Sequence, residues 1–205
     1  MAVLASLVAM RLTPRPAMNR PTTALAEFRE GWRYTFGFPP LRSIIALLAL
    51  TSLVGVPYTV LVPIFAGKLL GGGPHTLGFL MAAAGAGALL AALWLAARKS
   101  VIGLTRVVPW ATATSGVGLI LFSLSRRLPL SLFLMMVTGF GFMTQMAASN
   151  TVLQTIVDDD KRGRVMSLFV FAFLGTAPLG SLLACLLYTS PSPRDRTRSR
   201  MPSSA

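Results

Sequence analysis

Five blocks of apolar residues alternate with short polar or charged breaks along this chain. A bilayer crossing needs ~20 residues at a rise of ~1.5 Å each. The first block, Ile44–Ala66, ends near a glycine turn (Gly71, Gly72, Gly73, Pro74). The second, Leu77–Ala97, is closed by Arg98 and Lys99, and the third, Val101–Leu124, by Arg126 and Arg127. A fourth, Leu128–Asn150, has a helical pattern that continues to Ile156. After the charged hinge Asp158–Arg164 comes the fifth, Val165–Ala184. The pattern predicts transmembrane helices at about 44–66, 77–97, 101–124, 128–156 and 165–184. Pro57 and Pro63 would break a short soluble helix but are tolerated as kinks in a membrane bundle.

The region before these blocks reads differently. Met1–Met10 is apolar but half a span long, with no preceding basic region and no clear small-residue cleavage site. It is expected to be the end of a truncated transmembrane helix rather than a signal peptide. Residues 11–42 form a polar connector carrying Pro14, Pro16, Pro21, Pro39 and Pro40. Within it, Leu25, Phe28 and Trp32 recur at helical spacing, with Glu27, Arg29, Glu30 and Arg33 mainly on the other side. That pattern predicts a short amphipathic helix over 24–34, either interfacial or a solvated linker.

Composition sharpens the class. Apolar residues make up 54% of the chain and charged residues 12%, with a mean hydropathy of +0.67. Soluble domains carry about 25% charged residues, so an all-α polytopic membrane protein is expected. The net charge of +13 does not point to nucleic acid, because the basic residues lie almost wholly between apolar blocks. Twelve lie on one side of the predicted membrane: Arg11, Arg15, Arg20, Arg29, Arg33, Arg42, Arg98, Lys99, Arg106, Lys161, Arg162 and Arg164. Only Lys68, Arg126 and Arg127 lie on the other. The positive-inside rule puts the connector and the Asp158–Arg164 loop in the cytoplasm.

Candidate chemistry is sparse. One cysteine, Cys185, and one histidine, His75, leave no disulfide framework, metal cluster or catalytic constellation, so no enzyme, metal or cofactor is expected. No Asp or Glu lies within the spans, and an intramembrane carboxylate is the usual mark of a proton relay. The remaining polarity is neutral: Tyr58 and Thr59 on the first span, and Thr144, Gln145, Ser149, Asn150 and Gln154 on the fourth. Gln145, Ser149 and Asn150 fall four or five residues apart and so near one helix face. Such a stripe either faces a cavity or hydrogen-bonds between helices.

After Ala184 the character changes abruptly, to CLLYTSPSPRDRTRSRMPSSA. The string CLLYTSPSPRD resembles the translation of a transposase-type sequencing-library adapter. Two index-dependent residues, Arg196 and Thr197, and then RSRMPSSA complete the likeness. Residues 185–205 are therefore expected to be a non-native tail.

Three segments carry a family resemblance: LAEFREGWRY in the connector, QMAASNTVLQTIVDDDKRGRVMSLF from Gln145 to Phe169, and GTAPLGSLLA from Gly175 to Ala184. Together they resemble the second half of the major facilitator superfamily, in the branch of enterobactin exporters and macrolide-type efflux pumps. The resemblance implies an incomplete C-terminal six-helix half: the end of helix 6, then helices 7 to 11. It implies a bacterial inner-membrane, multi-pass location and, as partners, the lipid bilayer, a small-molecule substrate and a missing N-terminal half. Efflux of a siderophore-like compound or an amphipathic drug by alternating access is the function implied. A non-transporting scaffold or sensor, or an inactive fragment, is the rival. Because helices 7 and 10 border the cavity in the superfamily, Tyr58, Thr59, Gln145, Ser149 and Asn150 become substrate-cavity candidates. Asp158, Arg162, Gly163 and Arg164 match the superfamily's short charged loop that latches cytoplasmic helix ends.

Overall fold

The computed structural model describes residues 24–189 apart from Val56, Lys99 and Ile102. The readings for residues 1–10 and for residues 190–205 of the tail lie outside the described residues. Among the described residues the chain is helical, with no strand. Helix α1 (Ala24–Gly37) precedes α2 (Pro39–Gly55) and α3 (Tyr58–Ile64), which runs into a π turn at Phe65–Leu69. Next come α4 (Pro74–Ala96), α5 (Leu104–Leu124) and α6 (Leu128–Ile156). Helix α7 (Arg162–Val170) passes through a second π turn, Phe171–Gly175, into α8 (Ala177–Thr189).

Five of these units are long and apolar enough to cross a membrane: Pro39–Gly67, Pro74–Ala96, Leu104–Leu124, Leu128–Ile156 and Arg162–Leu186. The first begins at Pro39, five residues before the apolar run starts at Ile44. Proline suits the opening of a helix because its missing N–H has no intrahelical acceptor to lose there. At the other end of the chain, α8 carries the helix past Ala184, through Cys185 to Thr189. Pro57 does more than kink its span. It ends α2 at Gly55 and restarts the helix as α3 at Tyr58.

Helix α6 is the central element, and two glycines set its contacts. Gly139 and Gly141 are two residues apart, about 200° around a helix of 3.6 residues per turn, so they serve different neighbours. A Cβ on Gly139 would fall on the carbonyl of Ala84 in α4, and one on Gly87 of α4 would fall on the carbonyl of Met136. A Cβ on Gly141 would lie 2.8 Å from the Ala111 carbonyl and the Ser115 nitrogen of α5. Backbones this close gain van der Waals contact where lipid gives no hydrophobic drive between helices. Gly78 and Gly85 of α4 face open space instead, so the small-residue face that begins at Gly78 and Ala82 is uncovered here.

Two apolar clusters mark the ends of the bundle. One joins Leu41 and Leu48 of α2, Val108 of α5, Val152 and Leu153 of α6, and Val165 and Phe169 of α7. The other joins Val62 of α3, Leu80 of α4, Phe122 of α5, and Leu134 and Met135 of α6. The helix ends at the first cluster carry Arg42, Arg98, Arg106, Lys161, Arg162 and Arg164, and this is called the basic side below.

Candidate functional site

The polar stripe foreseen on α6 is buried against α2. Gln145 is 1% exposed, and its Nε2 donates to Thr51 Oγ1 at 2.8 Å and to the Leu47 carbonyl at 3.4 Å. Thr51 Oγ1 in turn donates to the Leu47 carbonyl at 2.8 Å. A short polar clasp therefore ties α2 to α6, which is the interhelical reading of Gln145. Such contacts are worth ~0.6 kcal/mol within a membrane. Two acceptors are left over: Gln145 Oε1 and Ser149 Oγ are buried and have no hydrogen-bond partner among the described residues. Leaving a buried polar atom unpaired costs about 1–3 kcal/mol, so this seam is less satisfied than a purely structural clasp would be.

Beside the clasp lies a cavity of about 230 Å³ between α2, α3, α5 and α6. Thr51, Tyr58, Thr112, Ser115 and Thr138 line it together with Leu50, Val54, Leu119 and Phe142, and its surface is almost wholly apolar. Small-molecule pockets usually hold about 300–1,000 Å³, so this space has room for part of a ligand. The five candidate residues do not converge on it equally. Tyr58 lines the cavity, and Gln145 reaches it by holding Thr51. Ser149 is fully buried nearer the basic side. Asn150 is half-buried, and its Oδ1 accepts a 2.6 Å bond from Gln154 Nε2. Thr59 is exposed on α3.

The sequence reading passed over Thr51, Thr112, Ser115 and Thr138. Their signal was present, since Thr112 and Ser115 lie three residues apart on one helix. Ser and Thr in spans usually bond back to the preceding turn and say nothing of a cavity. All four do so here: Thr51 to Leu47, Thr112 to Val108, Ser115 to Thr112 and Thr138 to Leu134.

The charged loop is organised locally and by α1. The Asp158 carbonyl accepts the backbone N–H groups of Lys161 and Arg162 at 3.0 and 2.9 Å, forming the turn that starts α7. Arg162 pairs with Asp159 at 2.7 Å, three residues back. Arg164 reaches out of the loop to Glu30 of α1 at 2.8 Å, and Lys161 lies 4.6 Å from the ring centre of Tyr34. Gly31 lets α1 settle there, since a Cβ on it would lie 3.2 Å from that of Arg164. Gly163 has open space around it and no positive φ, so this arrangement does not itself demand glycine there. On the outer side of α1, Trp32 and Phe36 stack with centroids 4.4 Å apart, both rings partly exposed.

The π turn at Phe171–Gly175 couples the fifth span to the first. A π turn releases carbonyls from the i→i+4 ladder. Here the Phe173 carbonyl accepts a 2.5 Å bond from Ser52 Oγ, and Thr176 Oγ1 donates to the Ala49 carbonyl at 3.4 Å.

Five long apolar helices packed through buried neutral polarity, with basic residues gathered at one end, belong to a polytopic membrane protein of helical-bundle type. The sequence profile described as transmembrane secretion effector matches residues 1–189, and the chain belongs to that family of the major facilitator superfamily. It is 30% identical over 161 residues to the multidrug efflux pump Tap of Mycolicibacterium fortuitum, an alignment covering 78% of this chain and 39% of that protein. The chain thus spans well under half the length of that relative. No solved structure matches it.

Proposed function

We propose that this chain supplies one side of the substrate path of a secondary efflux transporter. The exported compound is small and amphipathic, a lipophilic drug or a siderophore-like catechol, in keeping with the enterobactin-exporter and macrolide-efflux branch. The observation that carries this reading is the seam of α2 and α6. Gln145 keeps an unpaired buried acceptor there and holds Thr51, which lines a largely apolar cavity. A ligand with a hydroxyl or amide donor that reached this acceptor would satisfy it, and the apolar wall would take its hydrophobic part. The cavity is too small for a whole ligand, and the open face of α4 at Gly78, Ala82 and Gly85 suits close approach of another helix. An N-terminal half of the same protein is the proposed occupant of that face. The basic side is proposed to face the cytoplasm of a bacterial inner membrane.

In alternating access the latch joining Glu30 to Arg164 and Lys161 to Tyr34 would hold the connector against the loop in one state. A surface ion pair gives about 0.2–1 kcal/mol and a cation–π contact about 0.5–1 kcal/mol. Together they bias two states by about tenfold, strong enough to favour one and weak enough to release each cycle.

The test is dye accumulation in a pump-deficient bacterium that expresses this chain joined to the upstream half encoded with it. Ethidium should accumulate less than in vector controls. Gln145→Leu should return accumulation most of the way to control, by about tenfold in efflux rate, the loss of one hydrogen bond to substrate. Equal accumulation with and without the protein, across amphipathic cations and catechols, would count against efflux.

A further inference from the structure

On the side of the bundle away from the α2 seam, α4, α5 and α6 enclose an open pocket of about 410 Å³ at the basic side. Its walls are Trp94 and Arg98 at the end of α4, Arg106 and Trp110 in the first turns of α5, and Phe140 and Thr144 on α6. We propose that this pocket binds the phosphate headgroup of an anionic phospholipid, with the acyl chains running down the outer face of α5.

Three observations converge on a phosphate. Arg98 and Arg106 both line the pocket, and neither pairs with a carboxylate among the described residues. The Arg98 guanidinium lies 4.7 Å from the ring centre of Trp94, which fixes its position while leaving its N–H groups to an anion. Thr144 lines the pocket and is 2% exposed, and its buried Oγ1 has no hydrogen-bond partner among the described residues.

A lipid is chosen over free phosphate because of what lies beyond the pocket. Trp110 is 76% exposed, and Val117, Leu121 and Leu124 follow it at seven-, four- and three-residue steps along the same face of α5, all exposed. That is a continuous apolar track from the pocket toward the membrane centre. A tryptophan at its head is the usual anchor at headgroup depth. Basic pockets between spans are known lipid headgroup sites.

The two pocket tryptophans provide the readout. The chain, carrying Trp32→Phe so that only Trp94 and Trp110 fluoresce, is placed in phosphatidylcholine nanodiscs. Brominated phosphatidylglycerol or brominated phosphatidylcholine is then added at the same low mole fraction. At about 10 mol%, the anionic quencher should occupy the site at least about fivefold above statistical mixing, because each basic residue favours an anionic lipid by roughly that factor. The double variant R98Q/R106Q should quench equally with both lipids, whereas R98K/R106K should keep the preference. Unchanged quenching by brominated phosphatidylcholine in each variant shows that the tryptophans remain in the bilayer. Equal quenching by the two lipids in the unaltered pocket would overturn the proposal. So would a preference that survives R98Q/R106Q. Inorganic phosphate added at constant ionic strength should leave the quenching unchanged, and if it displaces the lipid the site serves a soluble anion instead.

Discussion

At the scale of single residues, the most informative groups are those that the fold buries without satisfying. Gln145 makes one good interhelical bond through Nε2 and leaves Oε1 unpaired, and Ser149 Oγ is unpaired as well. Ser149→Ala removes a buried unpaired oxygen, so the purified protein should unfold at the same temperature or slightly higher. Gln145→Leu exchanges ~0.6 kcal/mol of interhelical bonding for relief of one unpaired acceptor, so stability should change little. A near-neutral melting shift with a clear efflux defect is therefore the expected signature of Gln145, measured on the same preparations. A large loss of thermal stability in Gln145→Leu would instead mark the clasp as structural. These two residues were legible in the sequence because amides and hydroxyls are rare in an apolar block. Their partner was not: Thr51 lies ninety-four residues away on α2, and no spacing rule connects it to Gln145.

At the scale of elements, the spans were readable almost to the residue where charges or glycines end them, and least readable where proline acts. Arg126 and Arg127 stop the third block, and α5 ends at Leu124, because a charge at membrane depth is costly. Hydropathy could not foretell the break between α2 and α3 or the two π turns, since the break comes from Pro57 and the turns from packing rather than from polarity. Glycine packing gives the sharpest prediction here. Gly139→Leu and Gly87→Leu drive a side chain into a neighbouring backbone carbonyl and should abolish recovery of monodisperse protein. Gly78→Leu and Gly85→Leu meet open space and should leave this chain folded. If the exposed face docks the other half, those two variants should nonetheless lose efflux in the joined protein. The latch has its own test. Reversing Glu30 or Arg164 alone should speed amide exchange in α1 by about two- to fivefold, and E30R/R164E together should restore it. Exchange that ignores both single reversals would show that apolar packing at Gly31 alone holds α1.

At the scale of the whole molecule, the charge bias along the sequence and the three-dimensional arrangement agree. The helix ends that gather Arg42, Arg98, Arg106, Lys161, Arg162 and Arg164 meet around one apolar cluster, and Arg126 and Arg127 sit at the opposite end. That much follows from counting, because an even number of spans separates the basic breaks that gather on one side. The cavity did not follow from counting. It depends on how three spans pack, and its walls are residues whose hydroxyls look ordinary one at a time. Whether this space is a water-accessible substrate path or a packing defect against lipid decides the account. Thr112 lines it, and Cys185 is the single cysteine in the sequence. The most direct measurement is therefore labelling of Thr112→Cys, in a Cys185→Ser background of the joined protein, by a water-soluble maleimide with and without ethidium. The expected result is labelling in membranes that ethidium slows severalfold. A thiol that stays unreactive from both sides of the membrane, or one that reacts at the same rate with ethidium present, would contradict a substrate path between α2, α5 and α6.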